Sequence, residues 1–426
     1  MPTKSYDSMM GEFWNRIRNR DPQAIRQISL GAAALIVWFL LLIPYAALAE
    51  GARTQFSGYC KSLNFFTQTS GFVPEVVDNP FAVAKQDVSV FMNMERFRLK
   101  MDAEYEMEEG RRFASEIQYD QQAFFGTFVD TGDFRIQKRQ IEESQFLDLS
   151  QTFVEDDDAF YEQRLYRAIL SYESEMIDIK VGRQQIPWGV GHFFTPTDLF
   201  NPFNPTQIEL DERNGVDAVN VVIKDIQRYK MQMIYTPPGK QLHPQRYLAR
   251  ISRDIKGYEV GVLGGHIKRD NAVGFDFAGN FKDSAVRGEF LFRECELEKD
   301  FMKFTVNADY NFPFNIYGLL EYHFNGQGRR NPQSYQWDRF VRGEIQQLAK
   351  NYLAALLGYD ITPLLRAESR TIFNMDDQSV FARPELRYEL RQNFLLTAAT
   401  QLFLGANDKE YGKPKNLFLL EGKYSF

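Results

Sequence analysis

Hydrophobic and polar residues alternate along most of this chain, in segments of about ten residues. In the segment 301–312, the odd positions from Lys303 to Asn311 are polar, and the even positions from Met302 to Phe312 are apolar. Successive side chains of a β-strand point to opposite faces. Each such segment therefore predicts a strand with one apolar and one polar face.

The same pattern predicts eighteen strands. They cover residues 55–66, 90–107, 111–124, 160–175, 176–187, 217–226, 229–237, 246–254, 257–267, 271–279, 284–294, 301–312, 315–325, 350–360, 365–376, 380–391, 394–404 and 416–426. An even number allows an antiparallel sheet to close with both termini at one end. Sixteen strands is the alternative, because the tenth segment is short.

The connections between these segments alternate in length. Long connections, such as 125–159, 188–216 and 326–349, follow odd-numbered strands, whereas short ones, such as 106–110 and 391–393, follow even-numbered strands. Tight turns at one end and large loops at the other are typical of outer-membrane barrels. The sequence therefore predicts an all-β, transmembrane antiparallel up-and-down β-barrel.

The polar face of the predicted sheet is charged, as in 96–104, 287–293 and 383–389. A dry core accepts such a face poorly, because each unpaired buried charge costs several kcal/mol, whereas a water-filled lumen accepts it easily. The alternative is a soluble β-protein whose core uses the 15% aromatic residues. A helical membrane bundle is excluded, because no stretch beyond the N-terminus reaches about 18 apolar residues.

Residues 1–49 are predicted to be a signal peptide, which leaves residues 50–426 as the barrel. Four arginines at positions 16, 18, 20 and 26 precede the apolar stretch 30–43, and Ala47-Leu48-Ala49 supplies a small-x-small cleavage site. An uncleaved anchor helix is the alternative. Cleavage removes five basic and three acidic residues, so the net charge changes from -7 to -9, which argues against a nucleic-acid partner.

The last eleven residues, 416–426, carry a terminal signature. Apolar residues alternate through this segment, Tyr424 is third from the end and Phe426 is last. The segment resembles the final strand of Gram-negative outer-membrane barrels. The resemblance implies recognition of this strand by the barrel-assembly machinery and a location in the bacterial outer membrane.

Four internal segments, 182–189, 195–205, 362–366 and 374–377, resemble porin-like barrels of Gram-negative bacteria, many of them uncharacterised. The likeness extends loosely over most of the mature chain. It implies a passive pore but no particular solute.

The third long connection, 188–216, is the candidate constriction loop. It is rich in Pro, Asn and aromatic residues, and its charged residues can filter small polar solutes if it folds into the lumen. The alternative is a surface loop that caps the outside. The constriction candidates are His192, Asp198, Glu209, Asp211, Glu212 and Arg213.

Charged residues on the polar face form the candidate pore wall. Acids of the loop are expected to face arginines of this wall, while most wall charges pair across neighbouring strands. Because the two signs are nearly balanced, the wall charges in the sequence do not indicate which ions the pore prefers. The wall candidates are Arg96, Arg98, Arg167, Arg250, Arg287, Glu289, Arg366, Glu368, Arg370, Arg383, Glu385 and Arg387, and further acids include Asp120 and Glu321.

Signs of catalysis or of a cofactor are absent from the sequence. The four histidines have no metal-ligand spacing, and there is no glycine-rich phosphate loop and no haem attachment motif. Ser252 and His266 permit a barrel-borne lipase only weakly. We therefore expect no enzyme, no metal and no cofactor, and no disulfide between Cys60 and Cys295.

The sequence as a whole predicts an outer-membrane porin for passive diffusion of small hydrophilic solutes or ions. One alternative is a barrel that sheathes a periplasmic electron-transfer partner, and another is a plugged adhesion or structural barrel. The expected partners are outer-membrane lipid and the assembly machinery, with a homotrimer left open.

Overall fold

The computed structural model describes residues 52–68, 89–201, 204–210, 213–226, 228–239 and 243–426. The predicted signal peptide and two of the constriction candidates, Asp211 and Glu212, lie outside these ranges.

The described chain consists mainly of β-strands. They are β1 (Ala52–Gln68), β2 (Ser89–Glu106), β3 (Arg112–Phe125), β4 (Ser150–Asp156), β5 (Ala159–Glu173), β6 (Ile177–Gln184), β7 (Val216–Ile226), β8 (Tyr229–Thr236), β9 (Arg246–Ile255), β10 (Tyr258–Ile267), β11 (Asp270–Phe281), β12 (Ser284–Glu294), β13 (Phe301–Phe312), β14 (Ile316–Asn325), β15 (Asn351–Thr362), β16 (Leu365–Asn374), β17 (Val380–Arg391), β18 (Phe394–Leu404) and β19 (Leu417–Ser425). Two helices, α1 (Gly132–Glu143) and α2 (Trp337–Val341), lie in long connections. Among the described residues, no helix is both long and apolar enough to cross a membrane.

The strands form a closed antiparallel barrel. Each ring strand pairs with its neighbours in sequence, and β1 pairs with both β2 and β19, which closes the ring. The short strand β4 is extra: in the described part of the chain it pairs only with β5, while β3 pairs directly with β5. The ring therefore has 18 strands, and the predicted fold is confirmed.

The two faces of the ring differ as the alternation predicts. Outward side chains are apolar and exposed: the exposed fractions of Leu320, Leu357 and Phe418 are 55%, 58% and 59%. Their neighbours Glu321, Leu356 and Leu419 point inward and are buried. A soluble core would bury the apolar face, so the alternative of a soluble β-protein does not fit this arrangement.

The inward face changes character along the barrel axis. We call the end with connections 126–158, 185–215, 326–350 and 405–416 the long-loop end, and the opposite end the short-turn end. Towards the long-loop end, inward side chains are mostly apolar and form three clusters in the described residues together with the loops. Towards the short-turn end they are charged, as at Arg98, Arg287 and Arg366.

Two local expectations differ from the structure. Pro384 in β17 lacks an N–H, which predicts a bulge at this position. The register between β17 and β18 is nevertheless the same before and after Pro384, and only the pairs at positions 383 and 384 are missing. The register shift lies further on, between Glu389 and Arg391. Strand β4 was not predicted, because its sequence SQTFVED is short and polar.

Candidate functional site

Residues 185–215, which we call the inward loop, connect β6 to β7; residues 202, 203, 211 and 212 within it are not described. Polar contacts tie this loop to side chains of β1, β2, β5, β8, β12, β14, β17 and β18. These strands lie around the whole ring. A single segment reaches all of them only by passing through the interior of the barrel.

Glu289 of β12 holds the first part of the inward loop. Its Oε1 accepts hydrogen bonds from the backbone N–H groups of Val190 (2.5 Å) and Gly191 (2.6 Å). Its Oε2 accepts from the N–H of Thr197 (2.9 Å) and from the Thr197 hydroxyl (2.7 Å). This wall candidate is thus bound to the loop backbone rather than facing an open lumen.

Glu321 of β14 continues this arrangement along the same stretch of loop. Its carboxylate accepts hydrogen bonds from the N–H groups of His192 (2.7 Å), Phe193 (3.0 Å) and Phe194 (2.8 Å). Five consecutive backbone donors, from residue 190 to residue 194, therefore meet two carboxylates. Consecutive N–H groups form a concave site for an anion, and charge-assisted hydrogen bonds of this kind are strong.

Glycine is required where the loop approaches Glu289. Gly189 has a φ of +106°, and a Cβ there would lie 2.9 Å from the Cβ of Thr195 and 3.2 Å from Oε1 of Glu289. A Cβ at Gly191 would overlap the carbonyl oxygen of Phe194. Gly189 and Gly191 thus let the backbone approach the carboxylate closely.

The last part of the inward loop is held by cations. Glu209 forms ion pairs with Lys61 of β1 (2.9 Å) and Arg96 of β2 (2.7 Å). Burial opposes ionisation of Glu209, but Arg96 and Lys61 outweigh this effect and hold its pKa below the ordinary value. Arg383 donates to the carbonyl oxygens of residues 207 and 208, and Gln401 donates to those of residues 206 and 207.

Asp198 stabilises a turn within the loop. Its carboxylate accepts from the N–H groups of Phe200 (3.2 Å) and Asn201 (2.9 Å), and the Arg213 guanidinium lies 3.7 Å away. Burial raises the pKa of Asp198 to about 7, against the opposing effect of these neighbours. The structure brings Asp198 and Arg213 together, and the backbone oxygen of Arg213 accepts from Tyr166 and Arg167.

The remaining constriction candidate, His192, is partly exposed. Its Nε2 lies 3.9 Å from the Asp309 carboxylate. Burial and the nearby Arg287 lower the pKa of His192.

Aromatic packing also fixes the loop. The Phe194 ring stacks on His323 of β14 at 4.5 Å between centroids, and Trp188 meets Phe200 edge-on at 5.1 Å. The Trp188 Nε1 donates to Gln232 of β8 (2.9 Å). These apolar contacts exclude water from the hydrogen bonds to Glu289 and Glu321, which strengthens those bonds.

Several wall arginines pair across strands, as expected. Arg98 faces Asp120 in the β2–β3 register at 2.5 Å, and Arg287 of β12 reaches Asp309 of β13 at 2.6 Å. Arg250 of β9 reaches over Gly261 of β10 to Asp276 of β11, also at 2.6 Å.

On β16 and β17 the expected cross-strand pairing is wrong. The register places arginine opposite arginine and glutamate opposite glutamate, and ion pairs run along each strand instead. We call these six residues the striped block. Its facing pairs are Arg366 with Arg387, Glu368 with Glu385, and Arg370 with Arg383.

A cavity of about 760 Å³ lies between the inward loop and the wall formed by β19, β1–β3 and β5–β8, and we call it the basic cavity. It is lined towards the short-turn end by inward side chains such as Arg98, Lys180 and Lys230, and by Arg213 of the loop. Its lining is mostly polar, so it can hold water.

A buried polar network lies at the long-loop end, beside the first residues of β15 and the end of β16. Glu410 accepts from Tyr352 (2.7 Å), from the Asn374 side chain (2.7 Å) and from the N–H of Leu348 (3.0 Å). Burial raises the pKa of Glu410 to about 7.

Three residues that hold the loops were not predicted from the sequence: Glu410, Lys61 and Gln401. Of these, only Lys61 had an indication in the sequence, because it lies on the polar face of the first predicted strand.

The weak lipase hypothesis is contradicted by the geometry. Ser252 is buried and pairs with Gly261, whereas His266 is exposed on the other face and pairs with Tyr247. The described part of the chain contains no group of three or more His, Cys, Asp or Glu side chains placed to hold a metal ion.

The described residues thus form a closed 18-stranded antiparallel β-barrel that is crossed by a loop from its long-loop end. No protein-family model and no curated protein matches the chain. Among solved structures, the chain is similar to a triple mutant and to other mutants of the Rhodopseudomonas blastica porin. The triple mutant has a TM-score of 0.45 and 9% identity, with 88% of this chain and 100% of that chain covered.

Proposed function

We propose that this protein is a porin of the bacterial outer membrane, with a lumen for passive diffusion of small hydrophilic solutes or ions. One observation carries the proposal: the closed ring exposes an apolar outer face, and its inner face is charged towards the short-turn end. An exposed apolar band suits lipid, and a charged interior suits water.

Targeting and assembly belong to the same proposal. Residues 1–49 direct export and are removed, and the strand ending at Phe426 is recognised by the barrel-assembly machinery. The terminal residue supports this role: its backbone exchanges two hydrogen bonds with Gly58, and its ring stacks on Phe97 at 6.1 Å. The last residue therefore takes part in closing the ring.

The inward loop constricts the lumen in this proposal. Its contacts with strands all around the ring support the role, because a solute must pass beside it. The triple variant Glu209→Gln/Asp211→Asn/Glu212→Gln removes three acids from the loop. The reversal potential in a salt gradient should then shift towards anion permeation, and an unchanged value would contradict the constriction role.

A plugged structural barrel is the second candidate. The three apolar clusters that join the wall and the loops at the long-loop end favour it. The sheath hypothesis lacks such support, because the inward loop occupies space that a protein partner would need.

Planar-bilayer recording separates the candidates. The refolded protein, added to a lipid bilayer in about 1 M KCl, where the Debye length is about 3 Å, should give discrete opening steps. A bilayer that stays silent with correctly folded barrel would overturn the pore and favour the plugged barrel.

A further inference from the structure

The basic cavity has an excess of positive charge. Among the described residues that line it, seven side chains are cationic and two, Glu116 and Asp178, are anionic. The cations come from β2, β5, β6, β7, β8 and β19 and from the inward loop. They are Arg98, Arg167, Lys180, Arg213, Lys224, Lys230 and Lys423.

Further acids stand behind these cations, outside the lining. Asp120 pairs with Arg98 at 2.5 Å, Asp198 lies 3.7 Å from Arg213, and Glu173 lies 3.9 Å from Lys180. The side chains of Asp120 and Asp198 are fully covered, so the charge that faces the cavity remains positive. The cations are also the more accessible partners: the Lys224 side chain is 39% exposed, and that of Asp178, its partner at 2.6 Å, is 18% exposed.

The striped block repeats this arrangement on another part of the wall. It holds four arginines and two covered glutamates, and Asp360 of β15 adds a third acid at 2.8 Å from Arg366. The Arg387 side chain is 31% exposed and that of its partner Glu385 is 5% exposed. Arginine also faces arginine across the strands, an unfavourable register that a bound anion would relieve.

We infer that the lumen selects small anions, such as carboxylates and oxyanions, over cations of the same size. The inference rests on the proposed pore function. The accessible charge on two separate parts of the wall is positive, and a lumen with low-dielectric walls concentrates counter-ions. Arginine forks also match the geometry of carboxylate and phosphate oxygens.

The test is the reversal potential of the full barrel in a KCl gradient. Chloride should be roughly fivefold more permeant than potassium at about 0.1 M salt, and the preference should shrink near 1 M, where the Debye length is about 3 Å. The double variant Lys180→Gln/Lys230→Gln should still open, with its chloride preference reduced to roughly twofold.

A matched control removes the same charge from the same end of the barrel. Lys256→Gln/Lys282→Gln changes two exposed lysines in short turns and should leave the preference unchanged. Open channels without chloride preference, or equal effects of the two double variants, would overturn the anion inference and leave the pore intact. Correctly folded barrels that never conduct would overturn both.

Discussion

The inward loop is attached to the wall at two regions of opposite chemistry. At residues 190–197, backbone N–H groups donate to the carboxylates of Glu289 and Glu321. At residues 206–209, cationic and amide side chains donate to backbone carbonyl oxygens and to Glu209. We call these regions the acidic anchor and the basic anchor.

The difference shows that the wall recognises the polarity of the peptide backbone. An N–H group needs an acceptor and a carbonyl oxygen needs a donor when both are buried. The sign of each wall residue is therefore matched to the backbone atoms that the loop presents there. This matching fixes which part of the loop lies on which side of the lumen.

The largest effect is expected at the acidic anchor. Glu321→Ala leaves three buried N–H groups without an acceptor, at about 1–3 kcal/mol each, so local opening should become easier by about 3 kcal/mol or more. Hydrogen exchange at residues 192–194 should accelerate roughly a hundredfold. Glu321→Gln keeps one acceptor oxygen and should have a smaller effect, whereas Glu106→Ala at an exposed strand end should have none. Unchanged exchange in Glu321→Ala would contradict the anchor.

The basic anchor should be weaker. Glu209→Gln removes the carboxylate between Lys61 and Arg96, but Glu421 lies 3.4 Å from Lys61 and Asp120 lies 3.9 Å from Arg96. Because these acids remain, the free energy of local opening should fall by about 1–2 kcal/mol rather than by the full cost of an unpaired buried charge. Hydrogen exchange at residues 206–210 measures this free energy. A larger effect here than in Glu321→Ala would reverse the comparison.

The pH dependence of the loop sharpens the difference between the anchors. Asp198 has an ordinary pKa of 3.8 that burial raises to about 7, so the folded loop binds an extra proton between these values. Stability is then greatest in acid and is lost as pH rises, by about 1 kcal/mol per pH unit between pH 5 and 6.5.

Hydrogen exchange at residues 198–201, corrected for the intrinsic rate, should show this trend, and Asp198→Asn should abolish it. The basic anchor has the opposite sign, because the lowered pKa of Glu209 favours the loop above acid pH. Exchange that slows between pH 5 and 6.5 in the unmodified protein would contradict the role of Asp198.

The smallest effect is expected where wall charges do not touch the loop. Arg366→Gln/Arg387→Gln in the striped block removes ion pairs along the strands but also removes an arginine pair facing across them. The two contributions oppose each other, so stability should change by less than about 0.5 kcal/mol. Thermal unfolding in detergent measures it, and a strong destabilisation would show that the along-strand pairs dominate.

The ring could be predicted because its signal is periodic. Most ring strands alternate apolar and polar residues over enough positions to be recognised, as in Phe301–Phe312, whereas β4 has seven mostly polar residues and no such pattern. The pair of Glu209 and Arg96 follows from opposite charges on a loop and a wall. The role of Glu321 could not be predicted, because its partners are backbone N–H groups, which every residue but proline has.

The pairing of β1 with β19 has a consequence for biogenesis. Tyr59 lies beside Ser425 and Phe66 beside Phe418, so two strands that are far apart in the sequence are neighbours in the ring. The ring cannot close until both of these strands are present. Before they pair, β1 and β19 each present unpaired backbone groups to which another chain can bind, and a stop codon that removes β19 would leave that edge of the sheet open.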